Sequence, residues 1–323
     1  MSMIDRDVLT GNGVGALCRS RRFLFRNYKD RYAAMLLEDL LQPRLPIRVL
    51  REGRFARLLE RPAIKALVAA KGDGWLSDQD LQLLWPLAVE TYVVTFTTWG
   101  SETSAYRLWN QTSRARRQLV LQLNFPHAHD EQYRWLIFNA TENPFVHRHH
   151  PVNKEGRNTL AWARIDIDLA SGEALIEEVQ NDWIRKAERA LEVAHRGYGK
   201  FKAPQARESL KLYTETVLAP YAAIWSEAVL AAALHVLGHV FGIRRVWYHH
   251  FETGCALKNL LRKKWRRPPR SLYTDLPKRF CFELTDEPPA FILPAQPRWL
   301  RRKLERREGR FWRMDADHSL TFI

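Results

Sequence analysis

The stretch Leu160-Ala-Trp-Ala-Arg-Ile-Asp-Ile-Asp168, continuing through Ala170-Ser-Gly-Glu173 to Ala174-Leu-Ile-Glu-Glu-Val179, decides the fold class. Its flanks are rich in apolar and β-branched residues, which is typical of β-strands. The Ser-Gly pair between them predicts a tight turn. We therefore expect an antiparallel hairpin in the middle of the chain.

Further strand and helix signals surround this hairpin. The apolar patterns predict strands at residues 89–98, 118–125, 133–138, 245–249 and 279–284. Helical periodicity and end signals predict helices at residues 28–41, 62–70, 220–241 and 254–264, with Ser77 as an N-cap. Helices therefore dominate the first 85 residues, and strands and helices share the rest.

This order predicts an α+β fold, with a mixed, mainly antiparallel sheet flanked by helices and a helical N-terminal region. We expect a helical N-terminal region at 1–86, an α/β core domain at 87–297, and a basic amphipathic C-terminal helix and tail at 298–323. The apolar run 228–243 is shorter than the roughly 20 residues that cross a bilayer, so it is interpreted as a buried core helix and no transmembrane segment is predicted.

The charge of the chain is strongly positive. It has 323 residues, with 51 Lys and Arg against 36 Asp and Glu, and a formal net charge of +15. Such an excess favours encounters with polyanions, most of all DNA or RNA, although solvated surface arginines explain it equally simply. Three cysteines without metal-ligand spacing and the absence of a signal-peptide pattern indicate a cytoplasmic protein.

Two basic clusters contain aromatic residues, a combination that suits phosphate contacts and base stacking. The predicted nucleic-acid-binding residues are Arg262, Lys263, Lys264, Arg266, Arg267, Arg301, Arg302, Lys303 and Arg306. As a helix, residues 298–313 place Leu300, Leu304 and Phe311 on one side and arginines on the other. A packing helix with a solvated face and a membrane-surface helix are the alternatives.

The end of the hairpin is the candidate catalytic site. In a strand, Glu178 and Gln180 share one face and Asp182 follows them, whereas Glu177 and Val179 share the other face. A carboxylate held against an apolar surface is suited to general base catalysis. We predict that Glu178 and Gln180 line a concave surface near Trp225 and Glu227. The alternative is a solvated strand followed by an ordinary N-cap at Asn181 or Asp182.

The histidines are candidates for metal ligands. His235 and His239 stand four residues apart on a predicted helix, with a second group at His147, His149 and His150. Val236 stands where a zincin has glutamate, so no metal is predicted.

Two family resemblances follow from these motifs. The block Asn158-Thr-Leu-Ala-Trp-Ala-Arg-Ile165 and Ile176-Glu-Glu-Val-Gln-Asn-Asp-Trp183 resembles a domain of very large phage and mobile-element polyproteins. That resemblance covers residues 157–285 and implies no activity. It departs at Asn181, where the pattern has Ser.

The order of hairpin, long helix, strand and helix is also similar to the GNAT acyltransferase fold, as is Tyr273-Thr-Asp-Leu-Pro-Lys-Arg-Phe-Cys-Phe-Glu283. This resemblance implies acetyl-coenzyme A as the cofactor. The glycine loop that binds the cofactor's pyrophosphate in that family has no match here, so the cofactor stays unknown.

Two functions therefore remain open. The first is a nucleic-acid-associated protein of phage or mobile-element type that binds phosphates through its C-terminal third. The second is a GNAT-like acyltransferase that uses Glu178, Gln180 and Asp182 on a nucleic-acid-linked or other anionic substrate. A separation of two parallel strands beside Glu178 would favour the enzyme, and a continuous basic face without a cleft would favour the binding protein.

Overall fold

The structure is a computed structural model. It describes residues 22–41, 44–103, 106–137, 143–147, 149–151, 156–260, 268–306 and 308–315. The basic positions Arg262, Lys263, Lys264, Arg266 and Arg267 lie outside the described residues.

A mixed sheet forms the centre of the fold. The described strands are β1 (Phe23–Asn27), β2 (Arg44–Pro46), β3 (Trp75–Ser77), β4 (Glu90–Trp99), β5 (Gln118–Asn124), β6 (Thr159–Asp168), β7 (Glu173–Gln180), β8 (Arg245–His249), β9 (Glu283–Thr285) and β10 (Phe311–Asp315). Eight of them form one sheet in the order β1-β4-β5-β6-β7-β8-β10-β9, while β2 and β3 pair separately. Only the β7–β8 pair of the large sheet is parallel. The predicted α+β class is confirmed.

Helices cover this sheet. The described α-helices are α1 (Arg31–Leu40), α2 (Ile47–Glu52), α3 (Ala56–Leu59), α4 (Pro62–Ala69), α5 (Asp78–Gln82), α6 (Arg107–Asn110), α7 (His127–Ile137), α8 (Trp183–His195), α9 (Pro204–Leu212), α10 (Ala219–His239), α11 (Phe251–Leu257), α12 (Asp275–Arg279) and α13 (Arg298–Glu305). A π-helical turn at Tyr213–Val217 joins α9 to α10. The predicted helical character of the N-terminal region is present in α1–α5.

The sheet is buried on both faces. Ile176 of β7 belongs to the main core with the apolar residues of α10, whereas its neighbour Leu175 belongs to a second cluster with Trp247, Leu300 and Leu304. This alternation follows from the two-residue period of a strand. It places α10 against one face and α13 against the other.

The long helix α10 is a core element. Within the described residues it is the one helix long and apolar enough to cross a membrane, and 61% of its most apolar window is buried inside the protein. This burial agrees with the predicted core helix.

Two predictions in the first half of the chain differ from the structure. Residues 133–137, within the stretch 133–138 predicted as a strand, form the end of α7, because Tyr133 and Ile137 recur at helical spacing and are buried on one face. The strand β1 was not predicted, yet it pairs with β4 at one edge of the sheet. Its five residues are too short to reveal a period.

The C-terminal predictions also need correction. The expected helix at 298–313 ends at Glu305, and Phe311 lies in β10, which pairs with β8 and β9. Between them, a Cβ on Gly309 would lie 2.5 Å from Leu304 Cδ2, so the chain folds back closely here. Residues 279–284 divide between α12 and β9, because Cys281 has a left-handed φ of 60° that ends the helix. Of the helix expected at 254–264, only the part to Leu257 is described as helix.

Candidate functional site

A β-bulge in β7 builds the site. Arg164 of β6 pairs with Glu178 and Ile165 pairs with Ile176, so Glu177 is an extra residue on β7. A bulge interrupts the strict alternation of side chains along a strand. The Glu177 side chain hydrogen-bonds on the sheet face that carries His249. The Glu178 side chain forms an ion pair with Arg164 of β6. The expectation that Glu177 shares a face with Val179 is therefore wrong.

Glu177 is the centre of a buried polar network. Its carboxylate accepts hydrogen bonds from Ser113 N (2.9 Å), Ser113 Oγ (3.0 Å) and Gln118 Nε2 (2.9 Å). His249 Nε2 lies 3.1 Å from the same carboxylate, and Lys258 Nζ donates to the Glu177 carbonyl oxygen. Because side chain and main chain are both held, this network fixes the bulge.

The charges of this network follow from its surroundings. Burial alone would raise the pKa of Glu177, but the hydrogen bond from His249 and the charges of Lys258 and Arg164 hold that pKa below its ordinary value. Burial lowers the pKa of His249 and also that of Lys258. We infer an ionised Glu177 beside a neutral His249, with Lys258 as its counter-charge.

The parallel pairing of β7 and β8 ends at this bulge. The two strands pair from Glu173 and Arg245 as far as Ile176 and Tyr248, β8 ends at His249, and β7 continues to Gln180 without a partner on that side among the described strands. A cleft of about 740 Å³, which we call the β7 cleft, lies beside this free end and is lined by both Glu178 and Gln180. Such a volume is within the range of small-molecule sites.

The walls of the β7 cleft are largely aromatic. The cleft is lined by Trp99, Trp109, Trp162 and Trp225, together with Leu272 from the segment before α12. The prediction that Glu178 and Gln180 lie in a concave surface near Trp225 agrees with this geometry. Glu227 does not line the cleft. It accepts hydrogen bonds from the Asp30 backbone and from Arg279.

Glu178 stands in the β7 cleft with one carboxylate oxygen engaged. Arg164 Nη2 donates to its Oε2 at 2.7 Å, and the guanidinium also donates to the carbonyl oxygens of Asn110 and Gln111. The side chains of Arg164 and Glu178 are 2% and 16% exposed. Among the described residues, no hydrogen bond reaches Oε1 of Glu178, so this oxygen can accept one from a ligand.

A histidine–carboxylate pair lies beside Glu178. His150 Nδ1 is 2.6 Å from Asp182 Oδ2, and Gln180 Nε2 donates to Asp182 Oδ1 at 2.9 Å. Arg185 Nη2 also donates to this carboxylate. Burial alone would raise the pKa of Asp182, but the hydrogen bond and charge of His150 lower it overall. The Asp182 carboxylate favours the tautomer that carries its proton on Nδ1 and leaves Nε2 as a proton acceptor, although Gln180 Nε2 also lies 2.9 Å from Nδ1.

His150 was predicted only as a metal-ligand candidate. Its pairing with Asp182 spans 32 residues and carries no local pattern. His147, His149 and His150 line the cleft, whereas Asp182 is not among the lining residues. In the described part of the chain, no three His, Cys, Asp or Glu side chains group as metal ligands. His235 and His239 pack against each other with tilted rings, whose centroids are 4.5 Å apart.

The site does not fit the pyrophosphate of acyl-coenzyme A in the manner that the GNAT resemblance implies. That mode needs free backbone N–H groups at the helix after β7. Here Asn181 Oδ1 already accepts the Ile184 N–H, and the Asp182 carboxylate stands at the start of α8. The Asp182 carboxylate would repel a pyrophosphate at this helix end, so we assign no step to acyl-coenzyme A.

The second basic cluster is partly described. Arg302, Lys303 and Arg306 of the α13 region are exposed and Arg301 is half-buried, while Leu300 and Leu304 anchor the helix in the core. No ion pair to these four cations occurs among the described residues. The amphipathic arrangement is as predicted within 298–305, but its apolar side packs on the sheet.

Comparison of the chain with known protein families, curated proteins and solved structures finds no match. The site therefore has to be interpreted from its own geometry.

Proposed function

We propose that this protein is an acyltransferase of GNAT-like build that acts on a nucleic-acid-linked or other anionic substrate. The parallel pairing of β7 and β8 ends at the Glu177 bulge, and the cleft beside the end of β7 is lined by Glu178 and by His150, which pairs with Asp182. This arrangement carries the proposal. Bulges are common next to active sites, where they redirect a side chain.

The His150–Asp182 pair supports a general base mechanism. His150 Nε2 takes a proton from an attacking amine or hydroxyl, whose lone pair forms a bond to the acyl carbonyl carbon. The bond between that carbon and the leaving oxygen or sulfur then breaks, and the leaving group takes the proton back from His150. Asp182 keeps the imidazole oriented and stabilises its charged form. Gln180 is a positioning residue that holds Asp182.

An acyl-release assay tests this proposal. Labelled aminoacyl-tRNA and labelled acyl-coenzyme A are each incubated with the protein and an amine acceptor, and loss of label from the donor is followed. His150→Ala should lower the rate about 10²- to 10⁴-fold, the usual contribution of a general base. The matched control is His195→Ala, which removes an exposed histidine of α8 away from the cleft. A wild-type rate in His150→Ala, or no release from either donor, would contradict the proposal.

A second candidate is phosphate binding by α13, with or without chemistry in the β7 cleft. The observation that favours it is the set of cations without ion pairs among the described residues, at Arg301, Arg302, Lys303 and Arg306. Each phosphate contact should steepen the fall of log affinity with log salt by about 0.7 to 0.9.

Charge reversal tests this second candidate. A triple variant with Arg301→Glu, Arg302→Glu and Arg306→Glu should bind RNA or DNA more weakly, and its affinity should depend less on salt concentration. Arg189→Glu, Lys200→Glu and Lys202→Glu provide a control with the same net charge at exposed positions elsewhere. Equal retention of both triple variants on a polyanion resin would contradict binding at α13.

A further inference from the structure

The β7 cleft carries an unused anionic acceptor. Glu178 Oε1 has no hydrogen bond among the described residues, and the Glu178 side chain is 16% exposed. Trp162 Nε1 and Asn181 Nδ2 are donors without a partner in the same part of the chain, but both atoms are covered by the protein, so a ligand in the cleft does not reach them. Glu178 Oε1 is therefore the group that a ligand can bind.

The charges of the cleft differ from those of the whole chain. Its lining has two carboxylates, Glu178 and Glu188, and two guanidiniums, Arg164 and Arg185, in a chain of net charge +15. Arg164 already binds two carbonyl oxygens and Glu178, and Arg185 binds Asp182. At the inner wall of the cleft, Oε1 of Glu178 is therefore the charged atom without a partner among the described residues, and it suits a cationic ligand.

The aromatic walls suit the same kind of ligand. Indole rings attract cations more strongly than other aromatic side chains do, and they also cover apolar or planar groups. Four tryptophans of the lining supply such surface around Glu178.

We propose that the β7 cleft binds an aminoacyl group. Its ammonium bonds to Glu178 Oε1, and its side chain lies among the indole rings. This inference rests on the proposed function and names the acyl group that the cleft takes. Such a group brings the cationic donor that the free oxygen of Glu178 lacks.

A ligand series tests each part of this recognition by titration of tryptophan fluorescence, at a pH below neutrality where the amines are protonated. L-phenylalaninamide has the ammonium, the carbonyl and a ring. Phenethylamine lacks the carbonyl, N-acetyl-L-phenylalaninamide lacks the charge, and coenzyme A tests for an anionic ligand. We expect L-phenylalaninamide to bind, with about a 10- to 100-fold loss of affinity on acetylation of its amine, the loss expected for a charged hydrogen bond.

Variants assign this effect to the cleft. Glu178→Gln should remove most of the difference between L-phenylalaninamide and its acetylated form, whereas Glu192→Gln on the exposed side of α8 should leave it unchanged. If Glu178→Gln does not fold, the ligand series on the wild-type protein decides alone. Equal binding of the charged and acetylated ligands, or tighter binding of coenzyme A, would overturn the inference.

Two experimental outcomes separate the aminoacyl site from the transferase activity. Selective binding of L-phenylalaninamide without acyl release would support the aminoacyl site and contradict the transferase. Acyl release that depends on His150, without selection for the ammonium, would support the transferase and contradict the aminoacyl site.

Discussion

Replacing the buried carboxylate of the β7 bulge is the sharpest structural test of the site. Glu177→Gln keeps the shape but turns one acceptor oxygen into an amide donor. The four donors around Glu177 come from Ser113, Gln118 and His249, so at least one of them then faces another N–H. The variant also leaves Lys258 without its counter-charge. Removing one partner of a buried ion pair costs about 3–5 kcal/mol of unfolding free energy.

Urea unfolding followed by circular dichroism measures this cost. Lys258→Met should destabilise by a similar amount, and the double variant should lose clearly less than the sum, with a coupling of about 0.5–3 kcal/mol. The control Glu192→Gln breaks an exposed pair with Arg196 and should cost less than about 1 kcal/mol. Additive effects, or a loss below about 1 kcal/mol in Glu177→Gln, would refute the role of this network in holding the bulge.

The pH dependence of stability provides a second measurement on the same network. The folded pKa of Glu177 is lowered, so its contribution is present above the unfolded value of about 4.3 and is lost as the pH falls below it. The folded pKa of His249 is also lowered, so acidification through about 6.5 destabilises the protein as the unfolded histidine takes up a proton. We expect Glu177→Gln to flatten the acid part of this curve, and an unchanged slope there would contradict the assignment.

Three further substitutions test local features of the fold by their urea midpoints. Ser77→Ala removes a capping box and should cost about 0.5–2 kcal/mol, while a neutral result would contradict the cap. Gly100→Ala should cost more than about 1 kcal/mol, because φ is +97° and the new Cβ would lie 2.6 Å from the Arg116 carbonyl oxygen. Tyr213→Phe should cost about 1–3 kcal/mol, since it leaves the buried Trp183 N–H unpaired, and a stabilised variant would contradict that bond.

Much of the sheet was predictable because its central strands are long and apolar. The runs that became β4, β5 and β6 have seven to ten residues each, enough for the strand pattern to be recognised. The turn at Ser171-Gly172 then set the pairing of β6 with β7. Short strands such as β1 at the sheet edge and β10 between β8 and β9 were missed, since five residues between helical signals do not establish a period.

The site was predictable only in part. Glu178 and Gln180 follow from the alternation along β7, which the bulge leaves intact beyond Glu177. The bulge itself has no local signal, because it depends on donors from Ser113 and His249, far away along the chain. The partner of Asp182 could not be predicted either, since His150 reaches it through tertiary structure alone.

A crystal structure of the protein with L-phenylalaninamide would show whether the β7 cleft is where the substrate binds. We expect the ligand in that cleft, with its ammonium at hydrogen-bond distance from Glu178 Oε1 and its ring among the indoles. A ligand bound elsewhere on the protein, or a cleft that stays free of it at saturating concentration, would show that the substrate does not bind there.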